Sequence, residues 1–395
     1  HWSDGLPRDQ KGGDYTVHSD FIRKRLSRGF RIKIGFISGD FREHSVARFI
    51  WPLFKYLSRD KFQLYGYSTS LCSQSWSNHF DGYSEKLTDV SQLDASELCK
   101  IIRSDEIDVL FDLTGFTRGS RTGVLASRCA PFQVAWLGYP GSTGLAEMDY
   151  LFTDAYMAPE HKQLTTEKML LTAGSSICIE SLEEIPISPI LPSDLRGYLT
   201  FGSLNNPYKF NRSMLKRWAQ VVSKVEGSRV ILVRKEYSSA ILRKNITRFM
   251  SDHGIAPDRI FFYDNKLAGR HYLDCYNEID ISLDTYPVTG GTTTLDALWM
   301  GVPVVSLIGA ALHQRVSSAI LRRAGCADLV ACNNDEFLNI ALSLSQDTAR
   351  REYLRFNLRQ QIKDSDLCNT EGFCLEFGRT MLNLIYSVTE CSLVT

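Results

Sequence analysis

Residues Asp284 to Gly301 have the sequence DTYPVTGGTTTLDALWMG, in which a glycine pair and three threonines separate a predicted strand from a predicted helix. The strand is Ile279 to Leu283, and the helix carries apolar residues at helical spacing: Leu295, Leu298, Trp299 and Met300. Glycines let the backbone approach a ligand closely, because they have no Cβ. The first amides of a helix have no intrahelical partner and lie at the positive end of its dipole. This stretch therefore predicts a diphosphate-binding site.

Side chains of the same stretch extend this hypothesis. Thr292, Thr293 and Thr294 offer hydroxyl donors, and Asp296 lies one turn into the helix, where it could reach a ribose hydroxyl. The segment Thr293 to Asp296 also matches a capping box, which needs no ligand. By itself the stretch leaves phosphate binding and ordinary helix capping both open.

Length and composition describe a globular protein with room for two domains. The chain has 395 residues, 44% hydrophobic and 23% charged, and its 45 Lys and Arg balance its 45 Asp and Glu. This balance disfavours a nucleic-acid binder or an anionic-membrane binder. There is no apolar run of about 18 residues and no apolar signal-peptide core, so we expect no membrane span and a cytoplasmic protein. The ten cysteines form no Cys-x-x-Cys pair, which indicates reduced, buried thiols.

Apolar runs typical of strands alternate with helical patterns through most of the chain, which indicates parallel α/β layers. Predicted strands in the first half are Arg31–Ile37, Phe62–Tyr67, Ile107–Leu113, Phe132–Leu137 and Tyr150–Thr153. Predicted helices between them are Ser45–Leu57, Ala95–Ser104 and Ser120–Ser127. Predicted strands in the second half are Tyr198–Ser203, Arg229–Val233, Ile260–Tyr263, Ile279–Leu283, Val302–Leu307 and Leu329–Ala331. A core-facing helix is predicted over Arg212–Val225, and the tail from Asp335 is predicted to be helical.

A proline-rich stretch separates the two halves. Pro186, Pro189 and Pro192 lie close together, and proline is excluded from helix and sheet interiors. We predict a linker or N-terminal extension at 1–30, a first domain at 31–184, an interdomain linker at 185–197 and a second domain with terminal helices at 198–395. Ligands of such domains bind at the carboxyl ends of the strands.

Several polar residues lie at predicted strand ends. His44 begins a helix, where the dipole disfavours protonation and leaves a neutral base; the alternative is a histidine that only caps the helix. Asp112 is costly to bury unless it is paired or used, and it could also be a hydrogen-bonded structural residue. Lys209 could approach the same phosphates as the threonine helix, or be a solvated surface lysine.

Two further segments bear on the chemistry. The loop Trp136 to Gly144 could expose amides to a substrate or be a tight turn. The one Asp-x-Asp sequence, Asp364 to Asp366, lies between late helices, where we expect it to cap the next helix. No metal site is therefore predicted, and helix amides, hydroxyls and lysine would have to neutralise a diphosphate.

Five ordered motifs resemble the O-GlcNAc transferase and SPINDLY group of glycosyltransferases, family 41. They are GDFREHSV, DLTGFT, CAPFQVAWLGYPGSTGLAEMDY, FGSLNNPYKFN and DTYPVTGGTTTLDALWMGVPVVSL, and the similarity runs from Arg31 to Val388. The resemblance implies an α/β GT-B fold, in which two Rossmann-like domains face each other across a cleft, with a C-terminal helical segment. It also implies metal-independent, inverting sugar transfer to Ser or Thr hydroxyls of proteins, without a cofactor.

The resemblance also assigns roles to individual residues. Diphosphate or nucleotide contacts are implied for a group of residues in the second domain: Asn206, Lys209, His271 near the base, Gly291, Thr292, Thr293, Thr294 and Asp296 at the ribose. His44 matches a histidine beside the reacting centre, and Asp112 matches an acidic position of the SPINDLY-like branch. His44, Asp112 and Lys209 are thus the predicted catalytic residues, with either His44 or Asp112 as the base.

Departures from the family pattern leave the donor open between UDP-linked and GDP-linked sugars. Gly291 stands where animal members have His, and Phe116 stands where plant members have His and animal members Tyr. The family's long intervening domain is absent, which points to a compact, bacterial-type member. An upstream tetratricopeptide-repeat segment or partner is expected from the family. Two rival hypotheses are a GT-B transferase with a non-protein acceptor and a non-catalytic nucleotide-sugar-binding module.

Overall fold

A computed structural model describes residue 22 and residues 29–70, 79–264 and 269–391. The described residues form two compact units. Unit 1 contains those up to Glu180 together with those from Cys368 onward, and unit 2 is Ser181–Leu367. The predicted extension at 1–30 lies almost wholly outside the described residues.

Unit 1 is built on a seven-stranded parallel sheet. Its strands are β1 (Ile32–Ser38), β2 (Phe62–Ser68), β3 (Lys86–Asp89), β4 (Val109–Asp112), β5 (Phe132–Ala135), β6 (Tyr150–Asp154) and β7 (Lys168–Thr172). The strand order is β3-β2-β1-β4-β5-β6-β7, and every neighbouring pair is parallel. The central strands are apolar along their length because both faces of a parallel sheet are covered. The two strands that the sequence did not predict, β3 and β7, are the edge strands, and most of their residues are at least partly exposed.

Three helices of unit 1 lie close to the predicted bounds: α1 (Ser45–Tyr56), α2 (Ala95–Ser104) and α3 (Thr122–Ala126). All three lie between strands in the chain. Asp94 and Glu97 form a capping box at the start of α2.

Unit 2 contains a six-stranded parallel sheet. Its strands are β8 (Thr200–Ser203), β9 (Arg229–Val233), β10 (Ile260–Tyr263), β11 (Ile281–Leu283), β12 (Val304–Leu307) and β13 (Val330–Ala331). The order is β10-β9-β8-β11-β12-β13, again parallel throughout. The α-helices are α4 (Pro192–Arg196), α5 (Arg212–Lys224), α6 (Ala240–Ser251), α7 (Thr292–Trp299), α8 (Val316–Arg323), α9 (Asn334–Gln346) and α10 (Thr348–Lys363).

The proline-rich segment, predicted as an irregular linker, contains a short helix. Pro192 occupies the first turn of the short helix α4. Proline fits there because the amide of a first-turn residue has no intrahelical acceptor in any case.

The last helix, α11 (Thr370–Cys391), belongs to unit 1, whereas the predicted boundary placed the terminal helices with the second domain. It contacts α1 and β7. The Phe377 ring lies 5.5 Å from that of Phe111 in β4, and the Cys374 thiol lies 3.2 Å from the carbonyl oxygen of Pro52. Burial of this apolar face against the first sheet decides where the helix packs.

The turn before α11 has a different role from the one predicted. Asp364 ends α10, and Asp366 forms an ion pair with Arg323. Asn369 instead accepts a hydrogen bond from the Gly372 amide at 2.9 Å, in the first turn of α11.

Both sheets have the strand order of a nucleotide-binding fold, with the order reversing between β1 and β4 in unit 1 and between β8 and β11 in unit 2. Such switch points are where α/β sheets bind ligands, at the carboxyl ends of the strands. The predicted site residues follow these strands in both units.

Further structural findings concern thiols, membranes and metals. Of the eight cysteines whose side chains are described, six are buried and none forms a disulfide; the side chains of Cys72 and Cys391 lie outside this part. Within the described ranges, no helix has the length and apolarity that crossing a membrane requires. No cluster of three or more His, Cys, Asp or Glu in those ranges is arranged to hold a metal ion.

Candidate active site

The predicted phosphate-binding segment forms the start of α7 in unit 2. Gly291 is the N-cap residue, and no side chain caps the helix, so the capping-box alternative is wrong. The Thr294 and Leu295 amides donate to the Gly291 carbonyl. Across the described residues, no acceptor is found for the amides of Gly291, Thr292 and Thr293. These three N–H groups at the positive end of the helix suit an anion.

Lys209 is held against the loop that leads into α7. It ends a short 3₁₀ turn, Pro207–Lys209, that follows β8. Its ammonium donates to the carbonyl oxygen of Thr289 at 2.8 Å and to Oδ1 of Asn205 at 3.3 Å. Because an ammonium has three N–H groups, one is left for a ligand. The solvated-surface alternative for this lysine is therefore wrong.

Asn205 connects the lysine to the helix. Its Oδ1 accepts from Lys209 and also from the Thr293 hydroxyl, at 2.8 Å. Asn206, the residue predicted for this position, instead caps the 3₁₀ turn by accepting from the Tyr208 amide at 3.1 Å. Asn205, and not Asn206, is therefore the side chain that contacts the lysine, while nucleotide contact by Asn206 stays a prediction.

Asp284, buried at the end of β11, organises the loop. Its Oδ1 accepts from the amides of Thr285 and Gly290, both at 2.8 Å, and its Oδ2 accepts from the Ser306 hydroxyl at 2.6 Å. The Gly290 amide is thus used within the protein and does not face a ligand. A Cβ on Gly290 would come closer than 3.0 Å to the Thr294 hydroxyl oxygen, so the loop requires glycine here.

Burial shifts the pKa values of both charged groups. Burial lowers the pKa of Lys209; the positive charge of Arg234 lowers it further, and the negative charge of Asp284 opposes the shift. Burial also raises the pKa of Asp284, against the Ser306 hydrogen bond and the charge of Lys209. An anionic ligand beside Lys209 would favour its charged form.

Two other predicted ligands are turned into the protein. Thr294 is buried, and its hydroxyl is 2.9 Å from that of Ser317 in α8. Asp296 is only 3% exposed. Its charge contributes to the raised pKa of Tyr272, which burial mainly causes. Within α7, Thr292 and the first amides are therefore better placed for a ligand than Thr294 or Asp296.

His271 lies on the surface of unit 2. Its Nε2 is 2.9 Å from Oε2 of Glu183, and its Nδ1 accepts from the Leu273 amide at 3.3 Å. Both ring nitrogens therefore have partners. These contacts do not by themselves support the predicted contact between His271 and the base of the nucleotide, which stays a prediction.

In unit 1, His44 is the N-cap of α1. Its Nδ1 is 3.3 Å from the Val46 amide and 3.3 Å from Oδ2 of Asp40. Burial lowers the pKa of His44, as do Arg42 and Arg48, while Asp40 raises it. The lowered pKa agrees with the expected neutral imidazole, and the ring also caps the helix by accepting from the Val46 amide. Its side chain is 38% exposed, and Nε2 has no partner in the described part of the chain.

Asp112 ends β4 and is 3% exposed. Its two oxygens accept from the amides of Thr114 and Gly115, each at 3.0 Å. Burial raises the pKa of Asp112 to about 6, although these two hydrogen bonds oppose the rise. The geometry is that of the structural alternative, in which the carboxylate holds the turn after the strand.

The loop Trp136 to Gly144 packs tightly on that turn. A Cβ on Gly138 would come closer than 3.0 Å to the Leu113 carbonyl oxygen. Glu167, which is buried, accepts from the Thr143 amide at 2.6 Å and from the Ser142 hydroxyl at 2.8 Å. The ring of Tyr139 lies edge-on to Phe116, and both are partly exposed. This loop is thus a well-anchored turn with an aromatic surface.

Comparison with known families decides the classification. The sequence model described as glycosyl transferase family 41 matches residues 15–176 and 189–377. The chain belongs to this family.

Named family 41 relatives include a probable UDP-N-acetylglucosamine–peptide N-acetylglucosaminyltransferase SPINDLY from Solanum lycopersicum. It is 34% identical over 346 residues, which are 86% of this chain and 37% of the relative. The protein of the same description from Arabidopsis thaliana is 33% identical over 359 residues, 89% of this chain and 39% of the relative. This chain thus spans well under half the length of these curated relatives.

Solved structures agree with the predicted fold. A mutant of the Thermobaculum terrenum O-GlcNAc transferase is 28% identical, with a TM-score of 0.85 over 96% of this chain and 74% of that one. The lipopolysaccharide outer core galactosyltransferase WaaB, 9% identical with a TM-score of 0.52 over 89% of this chain and 99% of that one, shares the fold alone. The predicted α/β GT-B class, with two Rossmann-like units, is confirmed.

Sequence reasoning did not single out Asn205, Asp284 or Asp40 as site residues. Each directly follows a strand or lies in the loop after one, the position at which parallel α/β sheets bind ligands. If every polar residue at or just after a strand end had been taken as a candidate, Asn205, Asp284 and Asp40 would have been included.

Proposed function

We propose that this chain is the catalytic region of a metal-independent, inverting glycosyltransferase that moves a sugar from a nucleotide-diphosphate donor to Ser or Thr hydroxyls of proteins. The observation that carries the proposal is the uncapped start of α7 with Lys209 fixed beside its loop. Together they offer amide donors and one positive charge to a departing diphosphate. The names of the relatives support UDP-N-acetylglucosamine as donor and peptides as acceptors.

In this reaction, the acceptor oxygen bonds to the anomeric carbon while the bond from that carbon to the diphosphate breaks. The electron pair leaves with the diphosphate, next to Lys209 and the first amides of α7. The acceptor proton goes to a base. We assign this role to His44, whose side chain is 38% exposed, and not to the buried Asp112, both of whose oxygens already accept amides.

In this proposal the donor is UDP-linked or GDP-linked, since the groups around Lys209 would bind the phosphates and would not distinguish the base. An upstream tetratricopeptide-repeat segment or partner would help select the acceptor protein, and we propose a cytoplasmic location. A transferase for non-protein acceptors is the second enzyme candidate, because the donor-side groups do not depend on the acceptor.

The proposal is tested by co-expressing the chain with a host proteome and searching Ser and Thr peptides by mass spectrometry for added N-acetylhexosamine or deoxyhexose. Purified chain with UDP-GlcNAc or GDP-fucose, with and without EDTA, provides the direct assay. We expect modified peptides and the same turnover in EDTA. Sugar transfer found only on lipids or glycans would support the second candidate, and loss of turnover in EDTA would contradict metal independence.

The pH dependence of turnover checks the role of His44. Because burial and two arginines lower the pKa of His44 below 6.5, the imidazole is neutral at pH 7. We expect kcat/KM to be level near neutral pH and to fall about tenfold per pH unit below the histidine pKa, as the base becomes protonated. The His44→Gln variant should lose this acidic limb together with most of its activity. An unchanged profile in that variant would exclude His44 as the base.

A further inference from the structure

Two buried thiols of unit 1 face each other. Cys99 lies on α2 and Cys129 lies in the loop before β5, and the two residues are 0% and 2% exposed. Their Sγ atoms are 2.6 Å apart. Even non-bonded carbon atoms, which are smaller than sulfur, pack about 3.5–4.0 Å apart. The two sulfurs are therefore closer than separate thiols normally pack.

The backbone on both sides of this pair is held in place. Nη2 of Arg103, four residues after Cys99 in α2, donates to the carbonyl oxygen of Ser127 at 2.9 Å. The Cys129 amide donates to Oε1 of the buried Gln133 at 3.1 Å. The helix and the loop are thus fixed to each other, and a movement of the sulfurs by about half an ångström would give the length of a disulfide bond.

Burial alone does not bring two thiols together in this protein. The thiols of four other buried cysteines each contact a backbone carbonyl oxygen: Cys178, Cys275, Cys326 and Cys374. Cys99 and Cys129 also approach a carbonyl oxygen, that of Val124 in α3, at 3.8 Å and 3.3 Å. The contact of one sulfur with the other is what distinguishes this pair.

We propose that Cys99 and Cys129 form a reversible disulfide that joins α2 to the loop before β5. One cysteine thiolate attacks a small-molecule disulfide and releases one thiol, and the second cysteine then displaces the other thiol from the mixed disulfide. The two cysteines are oxidised, the small-molecule disulfide is reduced, and the two cysteine protons end on the two released thiols. Disulfides of cytosolic proteins are mostly transient, which agrees with a reversible bond. This inference does not rest on the proposed function.

The bond would leave no backbone acceptor without a donor. Oxidation removes both thiol hydrogens, so the Val124 carbonyl loses its contacts with them. The Ser127 amide also donates to this carbonyl, at 3.1 Å, and that hydrogen bond stays. No buried polar group is therefore left unpaired at Val124 when the disulfide forms.

The disulfide would close a loop that spans 30 positions of the chain. The loop includes β4 and the turn after it, where the Thr114 hydroxyl oxygen accepts from the Gly39 amide at 3.1 Å. A covalent link of this kind restricts the unfolded chain, so we expect oxidation to stabilise unit 1. Lys209 and α7 lie in unit 2, outside the loop, so the affinity for UDP should not change.

The test compares wild type with Cys99→Ala in buffers of different ratios of oxidised to reduced glutathione. Samples are unfolded, alkylated and digested, and mass spectrometry detects the peptide pair linked through Cys99 and Cys129. We expect this pair in oxidised wild type, its loss in dithiothreitol, and a thermal midpoint about 5–10 °C higher in the oxidised protein. The midpoint of Cys99→Ala should not respond to the buffer. Cys326→Ala, which removes a buried thiol of unit 2, should respond as wild type does.

Because both thiols are buried, a second set of samples is refolded from urea in the same buffers. Absence of the linked pair in refolded wild type, while the exposed Cys332 has reacted with glutathione, would overturn the inference. A linked pair that leaves the midpoint unchanged or lower would equally contradict it. These outcomes are read on wild type, so they do not depend on the stability of Cys99→Ala. Failure of wild type to bind UDP would count against the proposed function and not against the disulfide.

Discussion

Lys209→Met is expected to lower kcat by about 10²- to 10³-fold with either UDP-GlcNAc or GDP-fucose, because it removes a positive charge fixed beside the α7 loop. Methionine has a similar length and volume, so the space is kept while the charge is lost. Affinity for UDP or GDP should fall much more than affinity for uridine or guanosine, since the lysine is expected to contact phosphate and not base. Calorimetry with the four nucleotides and steady-state assays measure both effects.

Lys216→Met is the matched control, since Lys216 is exposed on α5. It should have wild-type turnover and affinity. A Lys209→Met variant that keeps near-normal turnover would remove the leaving-group argument. An equal loss for nucleosides and nucleotides, with a lowered thermal midpoint, would indicate that the lysine mainly supports the fold.

Gly290→Ala is expected to lower the free energy of unfolding by about 1–3 kcal/mol and to abolish measurable donor binding. The new Cβ would lie closer than 3.0 Å to the Thr294 hydroxyl oxygen and 3.0 Å from Oδ1 of Asp284. Relief of this overlap requires the loop to move away from Asp284, which breaks the Gly290 hydrogen bond and displaces the start of α7. Urea unfolding and nucleotide calorimetry provide the two measurements.

The neighbouring glycine is the control for stability. A Cβ on Gly291 would have Val316 as its nearest neighbour at 3.5 Å, an ordinary contact. Gly291→Ala should therefore change the free energy of unfolding less than Gly290→Ala does. Equal destabilisation by the two substitutions would show that the tight packing around Gly290 does not govern the loop.

Local periodicity predicted most of the architecture. The predicted strands at Arg229–Val233 and Ile260–Tyr263 have the bounds observed in the structure, as does the helix Ala95–Ser104. Each of these elements has a continuous apolar run or an apolar face that neighbouring residues by themselves produce. Strands β3 and β7 were not predicted, because each mixes charged or polar residues with apolar ones, unlike the edge strand β10, whose residues are Ile, Phe, Phe and Tyr.

The site was predicted less completely than the fold. Lys209, Thr292 and the start of α7 followed from the residue types and from the resemblance to family 41. The resemblance pointed to Asn206, but the side chain that contacts Lys209 is that of Asn205, because Asn206 caps the 3₁₀ turn at Pro207–Lys209. Asp112 was predicted as a catalytic candidate, yet its partners are the amides of the turn it holds.

The sequence by itself determined the alternating α/β elements, the family and the segment that opens α7, because each depends on residues close together in the chain. Tertiary structure decided which side chains meet. The contact of Lys209 with Thr289 joins residues 80 positions apart, and that of Cys374 with Pro52 joins residues 322 apart. The order of the strands and the burial of apolar faces create such contacts, and a local pattern carries no information about them.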